Sequence, residues 1–370
     1  MFSRGLFRAA RRPAVAAFVL TGLLAVSLTG AASAAPRPIT FEIFIGDACV
    51  SGRAKSNSFL KVIITDRSGI QKGRGAVETD PDGYWSACMQ EGVRPMAPGD
   101  KVAVTDFETG QKRSFTVPTL TGKVDRGSNV VSGKAPNGTT VELEAFDFRF
   151  DLWGEQYDSV QHVVANGGNY AYDFDDAGVD IKGGASVVIR WRTGDDLVMV
   201  GRFQYAPFIV LTLGQSDFAG ASGPNALAQL TLKRNGAVVA RGSGVGAYGD
   251  SSFYGDFADT DGERFFIRGG EQFSAPVLGA WSSWRVPRIA GTANLAEDTV
   301  SGHCFANGRF AVLAQSTGGF GYGFGFGTAE ADGSFTIDLS DQVDIGKGFR
   351  VGILCYSPEG DEVSQEFTTR

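Results

Sequence analysis

The sequence predicts an all-β chain: four tandem β-sandwich modules in an elongated array, after an N-terminal signal peptide. Three observations carry that prediction. The first is a phrase that recurs four times: a proline, an aliphatic residue one or two places on, then Val-Ser-Gly. It reads Pro38/Ile39 with Val50-Ser51-Gly52, and Pro118/Leu120 with Val131-Ser132-Gly133. It returns as Pro207/Ile209 with the altered Ala221-Ser222-Gly223, and as Pro287/Ile289 with Val300-Ser301-Gly302. The prolines stand 80, 89 and 80 residues apart, the mark of a repeat array. The second is that short apolar runs are broken by turn residues every ~8–12 positions, with no sustained helical period. The third is module size, since ~80 residues suit one seven-strand sandwich.

The elements follow in order. Arg4, Arg8, Arg11 and Arg12, the apolar run Ala14 to Leu28 and the small-residue pattern Ala32-Ser33-Ala34 read as a signal peptide over 1–34. The modules then span 38–117, 118–206, 207–286 and 287–370. After Val-Ser-Gly comes an alternating strand: Leu60 to Ile64, Val141 to Ala145, Leu230 to Leu232 and Phe310 to Val312. Asn235-Gly236 predicts a type I′ hairpin into Val238-Val239. A Gly-x-aromatic strand follows at Gly83-Tyr84-Trp85, Gly168-Asn169-Tyr170 and Gly333-Ser334-Phe335, weakened to Ser251-Ser252-Phe253 in the third module. A last hairpin closes each unit, Val102 to Val117 in the first and Val351 to Val363 in the fourth.

Losing the signal peptide removes four arginines, leaving 30 basic residues against 41 acidic ones, a net −11. Such a surface repels nucleic acid and anionic lipid. No later stretch approaches the ~20 apolar residues of a spanning helix. The expected product is therefore secreted, or held non-covalently at the cell surface, with no transmembrane segment in the mature chain. In an exported chain the four cysteines predict disulfides. Cys49 and Cys88 share the first module, and Cys304 and Cys355 the fourth, so pairing within modules is expected.

The Val-Ser-Gly strand, the turns Pro81-Asp82-Gly83-Tyr84-Trp85 and Ala331-Asp332-Gly333-Ser334-Phe335, and Pro98-Gly99-Asp100 resemble bacterial Ig-like and carboxypeptidase-regulatory-like sandwich domains. The resemblance spans residues 38–370. It implies extracellular binding, adhesion or spacing, and it supplies no catalytic residues.

Chemistry is sparse. The two histidines, His162 and His303, lie in different modules, so no Ser-His-Asp or Cys-His set forms within one. The chain is expected not to be an enzyme; the rival reading is an extracellular enzyme or carbohydrate-active accessory protein with a site between modules. Acidic turns recur: Asp173, Asp175, Asp176 and Asp180; Asp256, Asp259 and Asp261; Asp338, Asp341 and Asp344. They carry two readings, Ca²⁺ ligands stiffening the module junctions or solvated turns in which Asp bonds its own backbone. No other cofactor is implied. In Phe320-Gly321-Tyr322-Gly323-Phe324-Gly325-Phe326-Gly327 every ring falls on one strand face. Rings filling the core is the expectation, because alternation is the ordinary strand pattern; the alternative is an exposed platform that stacks on sugars. Phe146, Phe148, Phe150 and Leu152, opposite in parity to Val141, Leu143 and Ala145, predict a bulge or turn near residue 146. Trp281 and Trp284, with Tyr322, are the candidate ligand-binding aromatics. The expected role is adhesion or binding to a cell-surface polysaccharide or protein, or a structural surface component.

Overall fold

In the computed structural model the described residues are 37–88, 95–146, 158–201, 204–221, 227–246, 252–277, 280–318 and 321–370. The predicted signal peptide, Phe148, Phe150, Leu152 and Phe320 lie outside them. Strand alternation builds the fold almost throughout. The first repeat contributes β1 (Glu42–Ile45), β2 (Cys49–Arg53), β3 (Phe59–Thr65), β4 (Gln71–Glu78), β5 (Tyr84–Cys88), β6 (Lys101–Asp106) and β7 (Lys112–Thr116). The second holds β8 (Thr121–Asp125), β9 (Val130–Lys134), β10 (Thr140–Phe146), β11 (Asp158–Val164), β12 (Asn169–Asp173), β13 (Ser186–Thr193), β14 (Asp196–Val200) and the short β15 (Gln204–Tyr205). A single 3₁₀ turn, Phe174–Ala177, follows β12.

The third repeat holds β16 (Phe208–Thr212), β17 (Asp217–Ala221), β18 (Leu227–Arg234), β19 (Ala237–Val245), β20 (Ser252–Asp256), β21 (Gln272–Val277) and β22 (Ala280–Arg285). The fourth holds β23 (Thr292–Asn294), β24 (Thr299–His303), β25 (Arg309–Gln315), β26 (Tyr322–Thr328), β27 (Ser334–Asp338), β28 (Arg350–Tyr356) and β29 (Glu362–Thr368). The β18–β19 hairpin turns at Asn235 and Gly236 with φ of 53° and 82°, the two positive values that a type I′ turn requires. No helix among the described residues is long and apolar enough to cross a membrane.

The strands do not sort into four separate beads. The first strand of repeat one, β1, runs parallel to the last hairpin strand of repeat two, β14, in the register Glu42↔Leu197 to Ile45↔Val200. The result is one continuous sheet, β11-β10-β13-β14-β1-β2-β5, shared by both repeats. Sheets β4-β3-β6-β7 and β12-β9-β8 complete the pair. Repeats three and four do the same: β16 runs parallel to β29, Val210↔Glu362 to Thr212↔Ser364, giving β20-β17-β16-β29-β28-β25-β26. The buried apolar residues follow suit, with one cluster from Ile39 to Ala206 and another from Ile209 to Val363. Phe41 packs on Phe115, and Phe115 on Trp191, so rings from both repeats meet in the first core.

Each parallel seam is pinned by a buried aspartate. Asp196, 2 % exposed, accepts from Phe41 N–H at 3.0 Å and takes a two-pronged contact from Arg113 at 2.6 and 2.5 Å. Asp361, fully buried, accepts from Ile209 N–H at 3.0 Å and from Trp284 Nε1–H at 3.1 Å. Its guanidinium partner comes from repeat two: Arg126 reaches the two carboxylate oxygens at 3.2 and 3.1 Å, and also the Pro207 carbonyl at 2.8 Å. Bidentate charged pairs of this kind fix geometry as well as adding energy.

The disulfides lie where the strand order put them. Cys49–Cys88 links neighbours β2 and β5 within one sheet, and Cys304–Cys355 ties the end of β24 to β28 in another sheet. Tyr170 is also buried, and its hydroxyl donates to the Thr121 carbonyl at 2.7 Å. Burial pushes its phenol upward from the ordinary 10.0. The neutral phenol therefore contributes stability that is complete below pH 10 and is lost as pH rises beyond it. Tyr170→Phe should cost about 0.5–1.5 kcal/mol at neutral pH and should flatten the loss of stability above pH 10, read from urea melts at pH 7 and pH 10.5. Equal alkaline slopes for the two proteins would exclude Tyr170 as the source.

Candidate functional site

β26 is the edge strand of the second large sheet, and its alternation is the reverse of the expected one. The glycines point inward and the rings outward. Gly323 and Gly325 are buried, whereas Tyr322 is 68 % and Phe326 38 % exposed. The cause is the opposing layer. A Cβ on Gly325 would stand 2.7 Å from Ile337 Cγ1 and 3.0 Å from Leu339, and one on Gly327 would stand 2.9 Å from Phe310. Val343 closes over Gly323 in the same way. That core is already filled, with Phe310 and Phe335 stacked at 4.2 Å, and no space is left for three more rings. The core assignment of these rings is thereby corrected.

Strand pairing sets the neighbours of the ring column. Across β25 and β28, Tyr322 lies beside Gln315 and Arg350, Phe324 beside Leu313 and Gly352, and Phe326 beside Ala311 and Leu354. Phe324 and Phe326 stand 6.0 Å apart, and Leu313 is 39 % exposed. On the next strand Glu366 sits within 3.8 Å of Arg350, so the two charges on this stretch offset each other. The open edge is guarded: Gln342 Oε1 accepts the Phe324 N–H at 2.9 Å. The face thus combines a line of aromatic rings with a Gln, an Arg and a Glu able to bond hydroxyl groups.

The corresponding face of repeat two differs in kind. There Arg190 contacts Glu142 at 2.7 Å and also Glu144, and His162 stands 3.8 Å from Glu142. His303 is at the end of β24 in another repeat, opposite Ser334 on β27, and the bonds from Ser334, with the nearby His303, hold the Asp332 carboxyl below its usual range.

Trp284 and the acidic turns occupy structural settings. Trp284, one of the candidate ligand-binding rings, is half-buried between Phe273 at 4.8 Å and Phe305 at 5.3 Å, with its N–H on Asp361. Trp281 lies on β22 opposite Pro276. The acidic turns bond their own backbone. Asp173 caps Asp175 N–H at 3.0 Å, Asp175 takes the Asn129 amide at 2.6 Å, and Asp338 caps Ser340 N–H at 2.9 Å. Those Ser340 bonds, from backbone and then side chain, hold the Asp338 carboxyl below its usual range. In the third repeat Asp259 caps both Asp261 and Glu263. Asp176, Asp180, Asp341 and Asp344 flank these turns, and no group of three or more His, Cys, Asp or Glu side chains among the described residues converges on a common point. Repeats two and four are alike here, with Val179-Asp180-Ile181 matched by Val343-Asp344-Ile345, and the likeness has a physical reason. Asn129 and Asp298, both at φ 52°, use their side chains to accept the N–H of Ile181 at 2.9 Å and of Ile345 at 2.6 Å.

No family model matches the chain, and no curated protein does. Among solved structures, it is similar to a tetra-tandem repeat from the extending region of a large adhesion protein, at 14 % identity over 91 % of this chain and 100 % of that one, with a TM-score of 0.17. It is also similar to the BSP domain of a biofilm-associated protein, at 6 % identity over 90 % and 96 % of the chains, with a TM-score of 0.18. A Group B Streptococcus pullulanase matches at 10 % identity over 49 % and 24 %, with a TM-score of 0.17. TM-scores this low carry no inference for this chain.

Proposed function

We propose that the chain is a secreted, non-enzymatic protein of tandem Ig-like sandwiches, with limits near 38–117, 118–206, 207–286 and 287–370, that attaches to a surface outside the cell. The observation that carries this reading is the outward ring column of β26, held there by buried glycines. Isolated surface rings are ordinary; a line of them on one edge strand marks an interaction site. Two disulfides suit an oxidising, exported setting. No metal is assigned to the acidic turns, whose carboxylates cap their own loops.

The test is retention of purified residues 37–370 on intact producer cells and isolated envelope, with and without EDTA. Saturable retention that survives EDTA is expected. Its loss in EDTA would assign an ion to Asp173, Asp175 and Asp176 or to Asp338, Asp341 and Asp344. No retention at all would end the adhesion reading.

A further inference from the structure

We infer that the ring column is a subsite for a neutral, linear polysaccharide whose sugars have mostly equatorial hydroxyls. The inference rests on the binding role just proposed and names the ligand class. An equatorially substituted pyranose presents a flat C–H face, which packs against an aromatic ring, and a rim of hydroxyls, which need hydrogen-bond partners. β26 offers both. Tyr322, Phe324 and Phe326 lie in line over about 13 Å, the length of roughly three pyranose units, and Gln315, Arg350 and Glu366 stand alongside.

Area and charge select among occupants. At the observed exposures, the rings with Leu313 and Leu354 expose roughly 350 Å², well short of the ~800 Å² per partner of a stable protein interface. Arg350 stands beside Glu366, and Arg309 and Glu362 farther along the same face are also opposite in sign, so these four charges sum to zero, while the whole sequence carries −7. An acidic polysaccharide meets repulsion from the net negative chain, and Arg350 beside the rings is already offset by Glu366. On the face of repeat two, the Arg190–Glu142–Glu144 cluster lies between Phe146 at the end of β10 and Val160 on the edge strand β11, so no line of rings runs along that edge among its described residues and one subsite is expected on these two faces.

The test is calorimetric titration of residues 37–370 with hexasaccharides of β-1,4-linked glucose, mannose and xylose, and with oligogalacturonate as the acidic control. One-to-one binding of at least one neutral hexasaccharide is expected, with none of oligogalacturonate. Tyr322→Ala, Phe324→Ala and Phe326→Ala should each weaken it about tenfold without moving the thermal melt. Val160→Ala, on the matching edge of repeat two, should leave it unchanged. Absence of neutral-sugar binding, a preference for oligogalacturonate, or indifference to all three ring removals would overturn the inference. Cell retention that persists in the triple ring variant would overturn the glycan subsite and leave the adhesion role standing. Sugar binding without cell retention would do the reverse.

Discussion

Asp361→Ala is expected to cost about 3–5 kcal/mol, the scale on which removing one partner of a buried ion pair acts. The carboxylate is fully buried and Arg126 is 7 % exposed, so the guanidinium would remain in the interior without its carboxylate, still bonded to the Pro207 and Glu359 carbonyls. The N–H groups of Ile209 and Trp284 would lose their acceptor as well. The loss should appear as a lower thermal midpoint and as new protease cleavage where repeat two meets repeat three, because Arg126 and Asp361 come from either side of that point. Lys55→Ala, which breaks an exposed pair with Glu108, should cost under ~1 kcal/mol. A melt of the Asp361 variant no lower than that of Lys55→Ala would remove the pin from this account.

Gly325→Val is the second large effect. Its side chain would meet Ile337 and Leu339 below ordinary contact distance, and overpacking of this kind costs about 1–3 kcal/mol. β26 is an edge strand with one partner, so the strand should lift from β25 before the core yields. Stability and sugar binding should therefore fall together. Phe324→Ala should instead lose binding at constant stability, and that contrast separates a distorted platform from a missing ring. Full binding by Gly325→Val would show that the rings need no glycine-backed strand.

Much of this structure was legible in the residues. Alternation located β3, β10, β18 and β25, Asn235-Gly236 located a hairpin, and cysteine placement gave both disulfides. What alternation cannot supply is its phase: a one-residue shift exchanges the two faces of a strand. The direction of Tyr322 and Phe324 therefore depended on Ile337, Leu339 and Val343 filling the interior from elsewhere in the repeat. Parallel pairing of β1 with β14 was hidden for a related reason, since every repeat opens with a similar apolar strand and nothing local names its partner. Two traces were present. Pro207 follows Pro38 by 169 residues and Pro287 follows Pro118 by the same distance, so the exact period is the double repeat. Gly-Asp also ends the last turn of repeats two and four, as Gly194-Asp195-Asp196 and Gly360-Asp361, where repeat one has Gly110-Gln111.

The shared sheet changes what counts as a removable part of this protein. A break after residue 206 passes between two complete sheets, whereas a break after 117 strips β1 of its partner and bares β14 along its length. Recombination or engineering that respects the fold would therefore add and delete segments of 169 residues, always two repeats at a time. A chain lengthened by a single repeat would carry an unmatched seam, a sticky edge of the kind that joins molecules end to end.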